Sequence, residues 1–249
     1  MSIDFSDELT IAKKAAKKAG LFLKKNKPTL NKVISSTNKD IKLKADIEAE
    51  NIIKEIIFSD SNIPMLAEES GMSTDVLLDY LWVIDPLDGT ANYSRDIPIS
   101  CVSIALVSGL KPLLGVIYDF NNDALYEGSI GSQAACNEKD INVSNISSPA
   151  DGILVTGLPN NTDYSDHAMK KMIKNFQSWK KIRMIGSAAI ASTYVASGKA
   201  DAYCESRTYL WDVAAGAAIV NAAGGRAEIK NKNDKFQVDV MFTNSSLKA

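Results

Sequence analysis

Histidine is almost missing from this sequence: His167 is the only one in 249 residues. A Ser-His-Asp or Cys-His mechanism would rest on that residue alone, and a multi-histidine metal site is impossible. Cysteine is scarce as well. Cys101, Cys136 and Cys204 are odd in number and widely scattered, so they form neither a disulfide framework nor a zinc cluster. They read as small buried apolar residues in a reducing compartment. An excess of one charge is also lacking, with 28 Lys and Arg against 30 Asp and Glu for a net charge of -2. Such near-neutrality argues against a dedicated nucleic-acid binder, because phosphate tracking normally leaves a basic excess. A small phosphorylated ligand stays open, since it needs only a local charge arrangement. No apolar run approaches the roughly 20 residues of a membrane span. The stretch from Met1 to Lys27 holds no unbroken apolar segment of signal-peptide length. The expectation is a soluble cytoplasmic protein without a membrane or nucleic-acid partner.

What the chain does have is enough apolar residue to fold. Hydrophobic residues make up 45% against 23% charged, a balance that excludes wholesale disorder and suits one large domain or two intimately packed ones. From Ser6 to Lys27, Leu9, Ala12, Ala16, Ala19 and Leu23 recur at helical spacing, with lysines 13, 14, 17 and 18 on the other side. Those lysines read as a solvated face, and Pro28 is expected to end the helix. A second helix fits Ala45 to Phe58. Leu81–Ile84, Ile99–Val107 and Leu113–Phe120 read as strands, the last two as a hairpin, with Ala124–Glu127 pairing next. After Pro149 the texture alternates: strand Ile153–Thr156, helix near Asp163–Gln177, strand Ile182–Met184, helix Ser187–Ala196, strand Ala202–Cys204, helix Asp212–Ala223, strand Val238–Thr243. The expected organisation is an α+β half over residues 1–148 and an α/β half over 149–249, packed as one unit without a flexible linker.

The chemistry concentrates in Trp82-Val-Ile-Asp85-Pro-Leu-Asp88-Gly-Thr90. Asp85 ends a buried strand, Pro86 turns the chain, and Gly89 permits a tight backbone path. Two carboxylates across such a turn, with the carbonyl of Leu87 between them, offer hard oxygen ligands suited to Mg²⁺. If Thr90 opens a helix, the N–H groups of Gly89 and Thr90 form an anion seat. The same string also serves as an ordinary turn in which aspartates bond their own backbone. Two distant segments add weight to the metal reading. Leu66-Ala-Glu68-Glu69-Ser-Gly71 places adjacent acids after an apolar run, and Trp211-Asp212 opens an alanine-rich helix ending at Gly224-Gly225. Taken singly, Glu68 is a surface acid, Asp212 an N-cap and Gly224 a C-cap.

Ala-Glu-Glu-Ser, Asp-Pro-Leu-Asp-Gly-Thr-Ala-Asn-Tyr and Trp-Asp-Val-Ala-Ala-Gly with its trailing Ala-Gly-Gly together resemble the inositol monophosphatase family of lithium-sensitive, Mg²⁺-dependent sugar phosphatases. The likeness runs from the first helix to the last strand. It implies a layered αβαβα sandwich, with an antiparallel sheet in the front half and a mixed sheet in the back half. It further implies a phosphomonoesterase with two or three Mg²⁺ per site and a homodimer. Carried over residue by residue, Glu68, Asp85, Asp88, Asp212 and the Leu87 carbonyl become metal ligands. Gly89 and Thr90 become the phosphate seat, and Thr90 with Asp46 the pair that orients the attacking water; Glu68 belongs with them in the catalytic set and Glu69 stands behind it. Glu205 meets substrate hydroxyls, the segment Gly186-Ser187-Ala188-Ala189 lines the same pocket, and Asp88 and Asp212 border the substrate.

Such a set needs neither histidine nor cysteine. Phosphate esters are anionic and slow to be attacked, so catalysis is mostly charge neutralisation and positioning. Two departures from the family pattern bear on the substrate. Where many members have Val-Thr-x-x-Asp, this chain has Asp40-Ile-Lys42-Leu-Lys44-Ala-Asp46. Ahead of Trp211, where a glycine is common, it has Arg207-Thr-Tyr-Leu210, an arginine that meets either a second phosphate or a surface acid. The early stop after Phe242-Thr243-Asn244 predicts that the helix often closing the family fold is missing. The expected substrate is inositol monophosphate or a related polyol phosphate. The alternatives are a 3'(2'),5'-bisphosphate nucleotidase, a histidinol-phosphate phosphatase, or a catalytically silent regulatory member.

Overall fold

A computed structural model describes residues 5–36, 41–74, 79–159, 162–230 and 233–248; Asp40 of the departing string lies outside them. The alanine-rich stripe becomes α1 (Ser6–Leu30), which buries Ala12, Ala15, Ala16, Ala19 and Leu23. Pro28 does not end this helix, contrary to expectation. A proline in the last turn removes one hydrogen bond, and here Leu30 beyond it is buried in the core, which offsets the loss. A hairpin the sequence did not announce follows, β1 (Val33–Ser36) and β2 (Ile41–Leu43), and then α2 (Lys44–Asp60).

The central sheet is built from β3 (Met65–Ala67), β4 (Gly71–Met72) and β5 (Leu81–Asp88) and, after the short helix α3 (Thr90–Ser94), from β6 (Cys101–Ser108), β7 (Lys111–Asp119), β8 (Ala124–Ser129), β9 (Ala135–Cys136) and β10 (Lys139–Asp140). Its eight strands run in the order β10-β9-β8-β7-β6-β5-β3-β4. This is the antiparallel sheet expected, with one pair, β3 and β5, running parallel. Both faces are covered, so β5 reads as a continuous apolar run rather than an alternating one. Trp82 and Ile84 face α1 and α2, while Val83 faces the other way.

The second sheet comes from the rest of the chain: β11 (Ile153–Thr156), α4 (Asp166–Phe176), β12 (Lys181–Met184), α5 (Ala188–Ala196), β13 (Ala202–Tyr209), α6 (Leu210–Ala222), β14 (Arg226–Lys230) and β15 (Gln237–Thr243). Its order is β12-β11-β13-β15-β14, with β12, β11 and β13 parallel and the remaining pairs antiparallel. This is the mixed sheet expected. Both α5 and α6 are apolar nearly all round because they lie between the two sheets and bury every face. Small residues let α6 come close: a Cβ on Gly115 of β7 would meet the Ala215 carbonyl at 2.2 Å. By contrast, α4 buries none of its residues and lies over the outer face of the second sheet. The layers therefore run helix, sheet, helix, sheet, helix. β14 escaped the sequence reading because Arg226-Ala-Glu-Ile-Lys230 is mostly polar and lacks a strand's apolar alternation.

Candidate active site

In a regular strand, residues three apart face opposite sides. Asp85 and Asp88 nevertheless line one cavity of about 500 Å³. The reason is a β-bulge. Asp85 pairs with Ser103 and Asp88 with Cys101, so β5 carries one extra residue between them. Pro86, which has no N–H to give the ladder, lies in that bulge. The Leu87 N–H closes the turn on Asp85 Oδ1 at 3.0 Å. Glu68 arrives by a different route. Parallel pairing sets Ala67 of β3 beside Ile84 of β5, so the next residue on each strand is an acid. The Glu68 N–H bonds the Ile84 carbonyl at 3.1 Å.

Two helix N-termini complete the cluster. Asp88 accepts from the Ala189 N–H at 2.7 Å, the Ala188 N–H at 3.3 Å and the Ser187 hydroxyl, all at the start of α5. The dipole of that helix favours a carboxylate there. At the start of α6, Asp212 accepts from the Thr208 hydroxyl at 2.7 Å and the Tyr209 N–H at 2.9 Å. Glu68, Asp85, Leu87, Asp88, Gly89, Thr90, Gly186, Ser187, Ala188, Glu205 and Asp212 line this cavity, whereas Ala189, the last residue of the expected segment, is buried behind it. Asp46 and Glu69 line a smaller cavity of about 330 Å³ that shares Glu68 and Thr90. Asp46 joins the site through Thr90, whose hydroxyl lies 3.0 Å from Asp46 Oδ1 and 2.9 Å from the Leu87 carbonyl. The other Asp46 oxygen accepts the Leu43 N–H at 2.7 Å, capping α2.

The backbone at Gly89 is left-handed, with φ +85°, and a Cβ there would strike the Ile99 carbonyl at 2.6 Å. Only glycine fits. Sequence reasoning passed over two positioning features. Asn92 donates to the carbonyls of Ile99 at 2.9 Å and Ile185 at 2.8 Å, tying α3 to the Gly186 segment; it stood inside the recognised motif without a role. Gly157 makes room for Glu205, whose Oε1 would lie 2.2 Å from a Cβ at that position. The signal available was a glycine directly after a buried strand.

The electrostatics follow from crowding acids. Burial and then the charges of Glu68, Asp88 and Asp212 push the Asp85 carboxyl well above the ordinary carboxylate range. Glu68 rises for the same reasons, burial first and then Asp212, Asp46 and Glu69. Its side chain is open to the solvent of the cavity, so the neighbouring charges carry that direction. Asp88 rises through burial, against the donors of α5. Burial, opposed by the Leu43 N–H and Thr90, sets Asp46 at about 7, and burial with Asp212 and Asp88 sets Glu205 at about 8. Among the described residues no lysine or arginine forms an ion pair with Glu68, Asp85 or Asp88. Among the described residues no three His, Cys, Asp or Glu side chains stand grouped as they would around a bound metal ion. Asp88 rests on the α5 amides and Asp212 on Thr208 and Tyr209. An all-oxygen donor set with uncompensated buried negative charge fits a hard dication such as Mg²⁺.

The sequence matches the inositol monophosphatase family over residues 4–242. The chain belongs to that family. It is similar to a protein named Nus factor SuhB from Xylella fastidiosa, 39% identical over 221 residues, 87% of this chain and 80% of the relative. It is also similar to an inositol-1-monophosphatase from Synechocystis, 37% identical over 194 residues, 75% of this chain and 66% of that one. Among solved structures, inositol monophosphatase from Anabaena superposes with a TM-score of 0.82 at 33% identity, covering 96% of this chain and 90% of that one. The family fold is present, and phosphoric monoester hydrolysis dependent on Mg²⁺ is general to its enzymes. Among the described residues no helix is long and apolar enough to cross a membrane.

The two departures from the family pattern separate in space. Lys44 points to Glu48 at 3.9 Å and lines neither cavity, whereas Lys42 pairs with Glu69. Arg207, in a left-handed conformation with φ 61° at the β13 bulge, lines a neighbouring cavity with Asp163 and Asp239. Its N–H bonds Asp239 Oδ1 at 3.0 Å.

Proposed function

We propose that the chain hydrolyses inositol monophosphate or a related polyol phosphate at this cavity, with Glu68, Asp85, Asp88, Asp212 and the Leu87 carbonyl holding Mg²⁺. When bound, the metal supplies charge neutralisation and an acidified water. The observation that carries the reading is the Thr90–Asp46 hydrogen bond at 3.0 Å, beside the buried Asp85 and Asp88, with which no lysine or arginine among the described residues forms an ion pair. The Thr90 hydroxyl donates its hydrogen bond to Asp46, which leaves a lone pair on Oγ1 to accept one from the attacking water. As that water oxygen bonds phosphorus, its proton passes to Thr90 and the proton of Thr90 to Asp46. The ester P–O bond opposite then breaks, and the departing alkoxide takes a proton from solvent. Gly89 and Thr90 N–H groups seat the phosphate, while Glu205 and the Gly186–Ala188 segment border the alcohol.

A kinetic screen with magnesium tests this, using inositol 1-phosphate, adenosine 3',5'-bisphosphate, histidinol phosphate and fructose 1,6-bisphosphate. Inositol 1-phosphate is expected to give the highest kcat/KM, and hydrolysis of none of the four overturns the reading. Arg207→Ala sharpens the result. Because Arg207 lines the neighbouring cavity, the change is expected to shift kcat/KM for a monophosphate by no more than about twofold, as for a surface substitution. A large KM rise confined to the bisphosphates supports the nucleotidase alternative instead. The homodimer stands as a proposal from the family likeness, checked by sedimentation. A Nus-factor role of the kind the Xylella relative is named for rests on that name alone, and no feature of the site carries it.

A further inference from the structure

The β1–β2 hairpin is held chiefly through its second strand. Every residue of β1 is exposed, and two strands alone are marginal in water. At its C-terminal end Leu43 is buried and its N–H fixes Asp46. From the second strand Ile41 packs against the α1–α2 core, and a charged side chain of that strand reaches out beside it. Lys42, opposite Ser35 in the register, reaches Glu69 in an ion pair. Glu69 is itself fixed, its N–H donating to Glu50 Oε2 at 2.9 Å, while Glu50 Oε1 holds Lys54 at 2.8 Å. Among the described residues, Lys42 is the one lysine or arginine lining either the catalytic cavity or the smaller one behind Thr90.

We propose that Lys42 is a positioning residue of this site, a cation built into the rim of the acid cluster that fastens the hairpin to Glu69 and thereby steadies Asp46. The inference rests on the phosphomonoesterase reading. Two consequences follow from one charge. A fixed ammonium beside Glu68, Glu69 and Asp46 makes the cavity less negative, so it weakens divalent-cation binding while it is present. It also holds the strand whose last N–H orients Asp46, so its loss slows proton acceptance from Thr90 without removing any group that touches the phosphate.

The test compares wild type, Lys42→Met, Lys42→Arg and Lys44→Met. MgCl₂ is titrated calorimetrically into each metal-free protein without substrate, and kcat and KM are then measured with inositol 1-phosphate. Lys44→Met makes the same charge change two residues away, outside both cavities. Lys42→Met is expected to bind Mg²⁺ roughly three- to tenfold more tightly. Its kcat is expected to fall about 10–100-fold, the usual effect of losing an outer partner of a metal site, with KM changed by less than about threefold. Lys42→Arg and Lys44→Met are expected to match wild type in both measurements. Glu69→Gln, which frees the same ammonium by a different route, is expected to lower kcat comparably. Mg²⁺ affinity of Lys42→Met equal to or weaker than wild type overturns the proposal. So does a kcat for Lys42→Met close to that of wild type, or the same change in Lys44→Met. Wild-type protein that hydrolyses no phosphomonoester overturns the underlying reading instead, and that is seen before any variant is compared.

Discussion

Asp85→Asn is expected to abolish turnover at saturating magnesium and, in the metal-free protein at neutral pH, to raise the melting temperature. The two effects share a cause. Asp85 is buried among Glu68, Asp88 and Asp212, and both that burial and those charges push its carboxyl upward. Ionised, it opposes the fold until a dication offsets the repulsion; as an amide it neither repels nor binds the metal well. The pH dependence has a definite sign. A carboxyl whose pKa is higher folded than unfolded adds stability below the unfolded value of about 4, and that stability is lost as pH rises through the folded value. Metal-free wild type is therefore expected to lose stability from pH 5 to 8, and Asp85→Asn to lose less. Each kcal/mol relieved corresponds to about 2–4 °C in a chain of this size. Scanning calorimetry with and without magnesium, beside a phosphate-release assay, measures both. Activity within tenfold of wild type removes Asp85 from the metal site; a lower metal-free melting temperature contradicts the crowding argument. Asp88→Asn is expected to abolish turnover too. Its effect on melting is smaller, because Asp88 also caps α5 and its pKa rise is opposed by donors from that helix.

Thr90→Ala is expected to lower kcat by about 10²–10⁴-fold, the range for a positioned proton acceptor, and to leave KM within about threefold. The hydroxyl serves the water, while the backbone N–H that seats phosphate survives the change. Asp46→Asn is expected to behave alike. Since the two residues are joined at 3.0 Å, the double variant is expected to be little worse than either single one. Steady-state kinetics on the three proteins decide it. A raised KM with unchanged kcat assigns Thr90 to ground-state binding, and fully additive losses separate the pair.

Much of this site was legible because its chemistry is local in sequence. Asp85, Leu87, Asp88, Gly89 and Thr90 lie within six residues, where a proline and a glycine dictate a turn. Residue type alone pointed to hard oxygen donors there, and the structure lines one cavity with those residues. Periodicity located α1, α2 and the β6–β7 hairpin, since their apolar spacing comes from the faces they bury. It erred at Pro28, where burial of Leu30 outweighed one lost hydrogen bond. It was silent on the β1–β2 hairpin, whose exposed first strand buries no face, and on β14, which is largely charged.

What the tertiary structure alone decided is how separated acids meet. No spacing in the sequence says that Ala67 sits beside Ile84, yet that parallel pairing delivers Glu68 to Asp85. No local rule places the bulge that turns Asp85 and Asp88 to one side, or makes Gly157 yield space to Glu205. The same holds for the two departing lysines, identical as letters and two residues apart. On β2 and then on α2 they point to different partners, Lys42 to Glu69 at the site and Lys44 to Glu48 on the helix surface. Composition and local pattern determined the kind of chemistry, because turns and ligand types are short-range properties. Strand pairing and helix docking determined which charges share a cavity, because proximity between distant residues exists only once the chain is packed.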